Sequence, residues 1–168
     1  YIASLEGNHS VRRICRNVSW YPDWTPDGQS VVYAACAHGA QNNDLQLGAI
    51  IRSRVMDESG QIISEFPQRE ELAGVVMNQL NRIRCAPDGE IIFSAFEIHL
   101  PAGSFDMPEN MNLFSIHPSR QAIVTRVVPR NIESYFGEVS WWFEFSPDYK
   151  HIALVDSEDR VGVVTLAS

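Results

Sequence analysis

The chain has 168 residues, of which 45% are hydrophobic and 20% are charged, so it can bury a globular core of ordinary size. Its formal net charge of −8 argues against nucleic acid as the main partner, because binding to phosphates requires a basic surface. No apolar run approaches the roughly 20 residues that span a bilayer, which argues against membrane insertion.

The amino-terminal residues 1–17 predict the outer strands of an incomplete structural unit. Strand-like sequence at 1–5 and again at 10–16 flanks the segment 6–9, which has the composition of a turn. Two short strands joined by a turn are expected here.

Three copies of nearly the same phrase follow along the chain. They are Trp24-Thr25-Pro26-Asp27-Gly28, Cys85-Ala86-Pro87-Asp88-Gly89 and Phe145-Ser146-Pro147-Asp148-Tyr149. The prolines at positions 26, 87 and 147 stand 61 and 60 residues apart. Repetition at a fixed spacing indicates a protein built from similar structural units.

Each phrase predicts the turn of a β-hairpin. Apolar runs rich in β-branched or aromatic residues follow it at 30–36, 90–96 and 151–155. Proline presets φ near −65°, the aspartate carboxylate bonds backbone amides two residues on, and glycine accepts a positive φ. Tyr149 replaces that glycine in the third copy, which predicts a strained turn or a turn of another type.

Weaker strand signals complete the first two units. In the first unit they lie at 47–54 and 61–66, separated by a turn at 57–60, and in the second at 112–117 and 121–128, separated by 118–120. The third unit shows one such strand, at 160–166. The segment 68–80 has apolar residues at spacings compatible with a short helical turn, and the plainer interpretation is a loop whose apolar residues pack on the core.

Four strands per unit are typical of a propeller blade. We therefore predict an all-β fold, a β-propeller or partial β-propeller of four-stranded antiparallel blades. The predicted divisions are a partial blade at 1–17, blades at 18–66 and 79–128, and a partial blade at 139–168, all within one propeller-type domain.

The first phrase and its surroundings resemble the repeat of TolB-like β-propellers. The similarity lies in Pro22-Asp23-Trp24-Thr25-Pro26-Asp27-Gly28-Gln29-Ser30-Val31-Val32-Tyr33, with Tyr1 to Gly7 and Arg12-Arg13-Ile14 similar to that repeat's outer strands. The resemblance implies a periplasmic or extracellular setting. For true TolB proteins it also implies a lipoprotein partner, but the sequence contains no partner-specific motif that would transfer it.

The number of units predicts that something else completes the ring. Propellers close with roughly 4 to 8 blades, whereas this chain supplies two complete and two partial ones. Exposed blade faces and strand edges favour aggregation, so stable proteins cover them. We expect either the remainder of a longer propeller or self-association with a second copy.

Neither a metal site nor a cofactor is predicted. The three cysteines have no metal-type spacing. His38 and His99 each follow the glycine of their unit by ten residues, but aligning the strands pairs His99 with Gly39 instead. A slip of one residue turns a strand side chain to the opposite face, which weakens the case for a shared ligand position.

The cysteines are expected to have structural positions. Cys85 occupies the place of Trp24 and Phe145 in the other copies, so it is predicted to be a small core residue. Cys15 and Cys36 lie on neighbouring predicted strands or at their ends, where an oxidising compartment would permit a bridge.

The sequence shows no catalytic motif. It has no Gly-x-Ser-x-Gly elbow and no glycine-rich phosphate loop. Asp27, Asp88 and Asp148 repeat because the turn requires them, which makes a catalytic role the weaker interpretation.

Binding is expected where the repeats diverge, because shared positions build the blade. Insertions lie between second and third strands at 37–46 and 99–110, and between blades at 67–80 and 129–138. In a meander these loops leave from the same side. The candidate binding residues are His38, Asn42, Asn43, Asp44, His99, Phe105, Asp106, Met107, Tyr135 and Phe136.

The predicted function is a non-catalytic scaffold that binds a protein partner through this loop-bearing face. One alternative is the accessory propeller of a prolyl-oligopeptidase-like hydrolase. The other is a carbohydrate-active propeller with a metal in its channel.

Overall fold

The computed structural model describes residues 2–3, 11–12, 14–15, 19–36, 46–63, 68–77, 82–96, 111–119, 125–127, 139–156 and 160–166. In these segments every regular element is a β-strand, and every strand pair is antiparallel. The predicted all-β, antiparallel class is therefore confirmed. No helix capable of crossing a membrane occurs in these segments.

The amino-terminal strands and the first unit follow the chain order. A two-stranded sheet pairs β1 (Ile2–Ala3) with β2 (Val11–Arg12). The first unit is a meander of four strands, β3 (Ser19–Trp24), β4 (Ser30–Cys36), β5 (Gln46–Arg54) and β6 (Arg69–Met77).

The second and third units repeat this meander. The second consists of β7 (Ile83–Cys85), β8 (Ile91–Phe96), β9 (Met111–Ile116) and β10 (Thr125–Arg126). The described part of the third consists of β11 (Val139–Phe145), β12 (His151–Asp156) and β13 (Val161–Thr165). Each strand pairs with the next one along the chain within its unit.

A single pairing of Val76 with Phe96 joins the first two units into one eight-stranded sheet. This sheet curls back on itself, so that β3 lies beside β7 and the sheet is nearly closed. A hydrogen bond of 2.9 Å from the Cys85 amide to Asp23 Oδ2 connects these two strands.

The units pack through the faces of their strands. On β4, Val31 and Tyr33 face a cluster that includes Ile14 and Cys15, whereas the alternate residues face the second unit. On β8, Phe93 faces the first unit and Ile92 faces the third. Because side chains alternate along a strand, each central strand contributes to two cores.

The three predicted hairpin turns are confirmed. Gly28 and Gly89 have φ values of +67° and +90°, and Tyr149 adopts the same kind of backbone with φ of +58°. The aspartate Oδ1 atoms accept bonds from the amides of residues two positions on, at 2.9 Å for Asp27 and 3.1 Å for Asp148. Tyr149 therefore keeps the turn and strains it, the first of the two predicted outcomes.

Neither the helical turn nor the loop considered for 68–80 describes the backbone at 69–77. Residues 69–77 form β6, and the turn at 57–60 lies within the connection between β5 and β6. A bulge opposite Ile50 and Ile51 inserts Leu72 as an extra residue, so Leu72 and Ala73 are both buried. Two adjacent buried residues interrupt the period-two pattern, which produced the helix-like spacing.

Candidate binding groove between the repeated turns

The candidate residues predicted from the insertions lie outside the described segments. These are His38, Asn42, Asn43, Asp44, His99, Phe105, Asp106, Met107, Tyr135 and Phe136. They therefore remain predictions.

The strand ends that border two of these insertions lie together. Gln46 is paired with Met77, and Phe96 is paired with Met111. Since Val76 also pairs with Phe96, the connections that follow β4, β6 and β8 leave from one end of the sheets. We call this the loop-bearing end.

A groove lies at the opposite end, where the three repeated turns meet. It has a volume of about 630 Å³. Pro26, Pro87 and Pro147 line it, one from each unit. The positions that repeat in the sequence are therefore brought together in space.

Charged residues from the leading strands β3, β7 and β11 form one wall of the groove. Asp23, Arg84 and Glu144 each stand three positions before the proline of their unit. Arg84 donates to Glu144 through Nη2 at 2.9 Å and Nε at 3.3 Å, and Arg82 also donates to Glu144. Glu144 thus connects the third unit to the second.

The surroundings of Glu144 and Cys85 shift their pKa values in opposite directions. The hydrogen bond from Arg84 and the charges of both arginines lower the pKa of Glu144, despite an opposing effect of burial. Burial raises the pKa of Cys85 to about 12, and the negative charge of Asp23 adds to this effect. At neutral pH the groove therefore presents a carboxylate and a protonated thiol.

Aromatic rings form the remainder of the groove. Trp24, at the end of β3, is 43% exposed, and Tyr149, in the third turn, is 42% exposed. The Tyr149 ring contacts Phe145, with 5.2 Å between the ring centroids. Beyond the groove, the Arg82 guanidinium lies 4.7 Å from the centroid of Trp142, a cation–π contact.

The two non-glycine residues with positive φ among the described segments are both tyrosines near this region. Tyr21 has φ of +45° within a bulge of β3, and Tyr149 has φ of +58°. Such angles are uncommon outside glycine and cost about 1 kcal/mol or more. Both residues nevertheless remain 40–42% exposed.

Sequence reasoning missed the charged wall, although a signal was present. Alignment of the three prolines places Pro22, Ile83 and Phe143 at one shared position and Asp23, Arg84 and Glu144 at the next. An ionisable residue recurs at the second position in all three units. The sign of its charge changes, which hides the pattern from a search for identical residues.

The described residues contain no group of three or more histidines, cysteines or acidic residues placed to hold a metal. His38 and His99 are outside those segments. Cys15, Cys36 and Cys85 all lie within them, and none takes part in a disulfide, so the bridge left open by the sequence is not formed.

No protein-family model matches the chain, and a search of characterised proteins finds no significant relative.

Proposed function

We propose that the chain is a β-propeller-type scaffold that binds a polypeptide partner and is not itself catalytic. Units that pack against each other through buried apolar residues, with the leading strands β3 and β7 side by side, support the propeller arrangement. The four-stranded meanders of the first two units are also what a propeller blade requires.

The groove between the three turns is the observation that carries the binding proposal. It combines exposed aromatic rings, three prolines and ionised groups of both signs. Trp, Tyr and Arg are the residues enriched in the energetic centres of protein interfaces. A polypeptide offers apolar side chains for Trp24 and Tyr149, and backbone amides for Glu144.

The strained Tyr149 supports the same proposal. Glycine would satisfy this turn without strain, as it does at Gly28 and Gly89. Strained backbone positions cluster at ligand-binding and active sites, where the surrounding structure holds them. We infer that the exposed ring serves the partner.

The loop-bearing end is a second proposed contact surface on the same scaffold. Its candidate residues come from the sequence, and the described strand ends that border the connections after β4, β6 and β8 lie at one end of the sheets. The resemblance to TolB-like repeats supports a periplasmic or extracellular setting for this scaffold.

Peptides selected from a random library against the chain test the groove. Affinities are measured by fluorescence anisotropy for the wild type, Trp24→Ala and Leu47→Ala. Trp24→Ala should weaken binding about tenfold or more, the usual effect of losing an interface aromatic. Leu47→Ala probes the other proposed surface, because Leu47 is 77% exposed and lies near the loop-bearing end.

Unchanged affinity of every selected peptide for Trp24→Ala would contradict the groove as the binding surface. Loss of affinity with Leu47→Ala instead would place the partner at the loop-bearing end.

A further inference from the structure

The charged wall of the groove exposes its carboxylate more than its guanidinium groups. The side chain of Glu144 is 56% exposed, whereas those of Arg84 and Arg82 are 26% and 13% exposed. The hydrogen bond from Arg84 and both positive charges lower the pKa of Glu144, so this side chain is ionised at neutral pH. A partner that lies on the wall therefore meets a carboxylate before it meets a guanidinium.

The rim of the groove adds carboxylates from all three units. The residue that follows each lining proline is an exposed aspartate, namely Asp27, Asp88 or Asp148. Hydrogen bonds from neighbouring hydroxyl groups lower the pKa of Asp27 and Asp148. In the three turns together, these aspartates and Glu90 outnumber the single lysine, Lys150. The rim is therefore negatively charged.

Aromatic rings accompany these carboxylates. Trp24 and Tyr149 line the groove together with Glu144. Trp142, two residues before Glu144 on β11, is more than half exposed. The faces of such rings attract cations, and tryptophan does so most strongly. Exposed rings among carboxylates favour a cationic side chain over a neutral or an acidic one.

The chain already holds one cation in this way. The Arg82 guanidinium lies 4.7 Å from the centroid of the Trp142 ring and also donates to Glu144. Arg82 belongs to the second unit, whereas Trp142 and Glu144 belong to the third. A ring and a carboxylate beside this groove thus bind a guanidinium that comes from another unit.

We propose that the partner segment held in the groove is cationic, with an arginine or lysine side chain that contacts the exposed rings and Glu144. This inference rests on the proposed function of the groove and specifies the charge of its ligand. A guanidinium or ammonium group compensates the carboxylate charge and covers a ring face at once, which a backbone amide does not. The formal net charge of −8 also favours the approach of a cationic partner.

Groove-binding peptides test the charge of the ligand. They are the peptides from the random library whose affinity falls in Trp24→Ala, and they should share an arginine or a lysine. Citrulline in place of that arginine, or norleucine in place of that lysine, keeps much of the side chain and removes its charge. Either replacement should weaken binding about tenfold or more, measured by fluorescence anisotropy.

A variant of the wall locates the cation. Glu144→Gln should weaken an arginine-bearing peptide and leave its citrulline form nearly unchanged, because only the first loses a charge pair. The citrulline form also reports whether the groove of the variant is intact. Glu70→Gln is the matched control, since Glu70 also accepts from an arginine, is 50% exposed and lies outside the groove. It should leave both affinities unchanged.

Groove-binding peptides without a shared cation would overturn this inference and leave the proposed function standing. Equal affinities of the arginine and citrulline forms for the wild type would do the same. If Trp24→Ala weakened no peptide of the library, the proposed function would fail and this inference with it.

Discussion

Tyr149 has the backbone angle that Gly28 and Gly89 adopt in the other two turns. A side chain at such an angle costs about 1 kcal/mol, and the tyrosine ring recovers part of this through its contact with Phe145. The strain and the ring contact can be separated by substitution.

Tyr149→Ala and Tyr149→Gly both remove the ring, but only the alanine variant keeps the strain. Tyr149→Gly should therefore be more stable than Tyr149→Ala by about 1 kcal/mol, measured by urea unfolding. Both variants should lose affinity for groove-binding peptides to the same extent.

Gly28→Ala is the control for this comparison. A Cβ at Gly28 would meet no atom within 4 Å, so only the backbone angle opposes the substitution. It should lose about 1 kcal/mol of stability. An alanine variant at position 149 as stable as the glycine variant would refute the strain.

Several carboxylates are held ionised by the folded structure. Hydrogen bonds from Thr25, Ser146 and Arg84 lower the pKa of Asp27, Asp148 and Glu144 from ordinary values of 3.8 for aspartate and 4.5 for glutamate. The unfolded chain therefore binds protons more readily than the folded chain. Their contribution to stability is complete above the ordinary pKa and is lost as the pH falls through the lower, folded value.

The melting temperature should consequently change little down to about pH 5 and fall below it. In the Asp27→Asn/Asp148→Asn double variant it should be lower at pH 7 and decline less in acid. Differential scanning calorimetry across this range measures both effects. Parallel curves for wild type and variant would contradict the assignment.

The range of each contact explains which residue roles were predictable. Asp27 and Asp148 bond atoms two positions away, so the local phrase was enough to predict their turn function. Glu144 pairs with Arg84 and Arg82, 60 and 62 residues earlier in the chain. No local pattern predicts this pairing, although alignment of the three repeats marks Arg84 and Glu144 as equivalent positions.

At the scale of elements, strands next to a Pro-Asp turn were predicted best. The run at 30–36 coincides with β4, because the turn fixes where the strand begins. The fourth strand of the first unit was misplaced, since the bulge at Leu72 interrupts its alternation. Bulges depend on the partner strand, which the local sequence does not show.

Packing between elements gives a prediction with a matched control. Leu113 on β9 is fully buried between the second and third units, whereas Leu47 on β5 is exposed. Leu113→Ala should lose about 2–5 kcal/mol through lost burial and a cavity. Leu47→Ala should change stability by less than about 0.5 kcal/mol.

Equilibrium unfolding in urea measures both variants. Equal losses for the two would show that the face between the second and third units is not a core.

At the scale of the whole molecule, the repeat predicted the units but not their contacts. The spacing of Pro26, Pro87 and Pro147 predicted three hairpins, which the structure confirms. The three turns line one groove. This arrangement depends on the orientation of each unit relative to the unit before it. Packing at faces such as that of Leu113 sets this orientation. The turn phrases carry no information about this packing.

The proposed propeller arrangement requires the three units to be rotated about a common axis. Distances between equivalent turns test this requirement most directly. Spin labels at Gln29, Glu90 and Lys150, attached through a non-natural amino acid, mark one position in each unit. Samples diluted with unlabelled chain restrict the measured distances to one copy.

Pulsed electron resonance should give equal distances for 29 to 90 and for 90 to 150. For a ring of 4 to 8 blades, the distance from 29 to 150 should be roughly 1.4 to 1.85 times that value. A factor of about 2, which a straight stack of sheets would give, or two unequal adjacent distances would contradict the propeller arrangement.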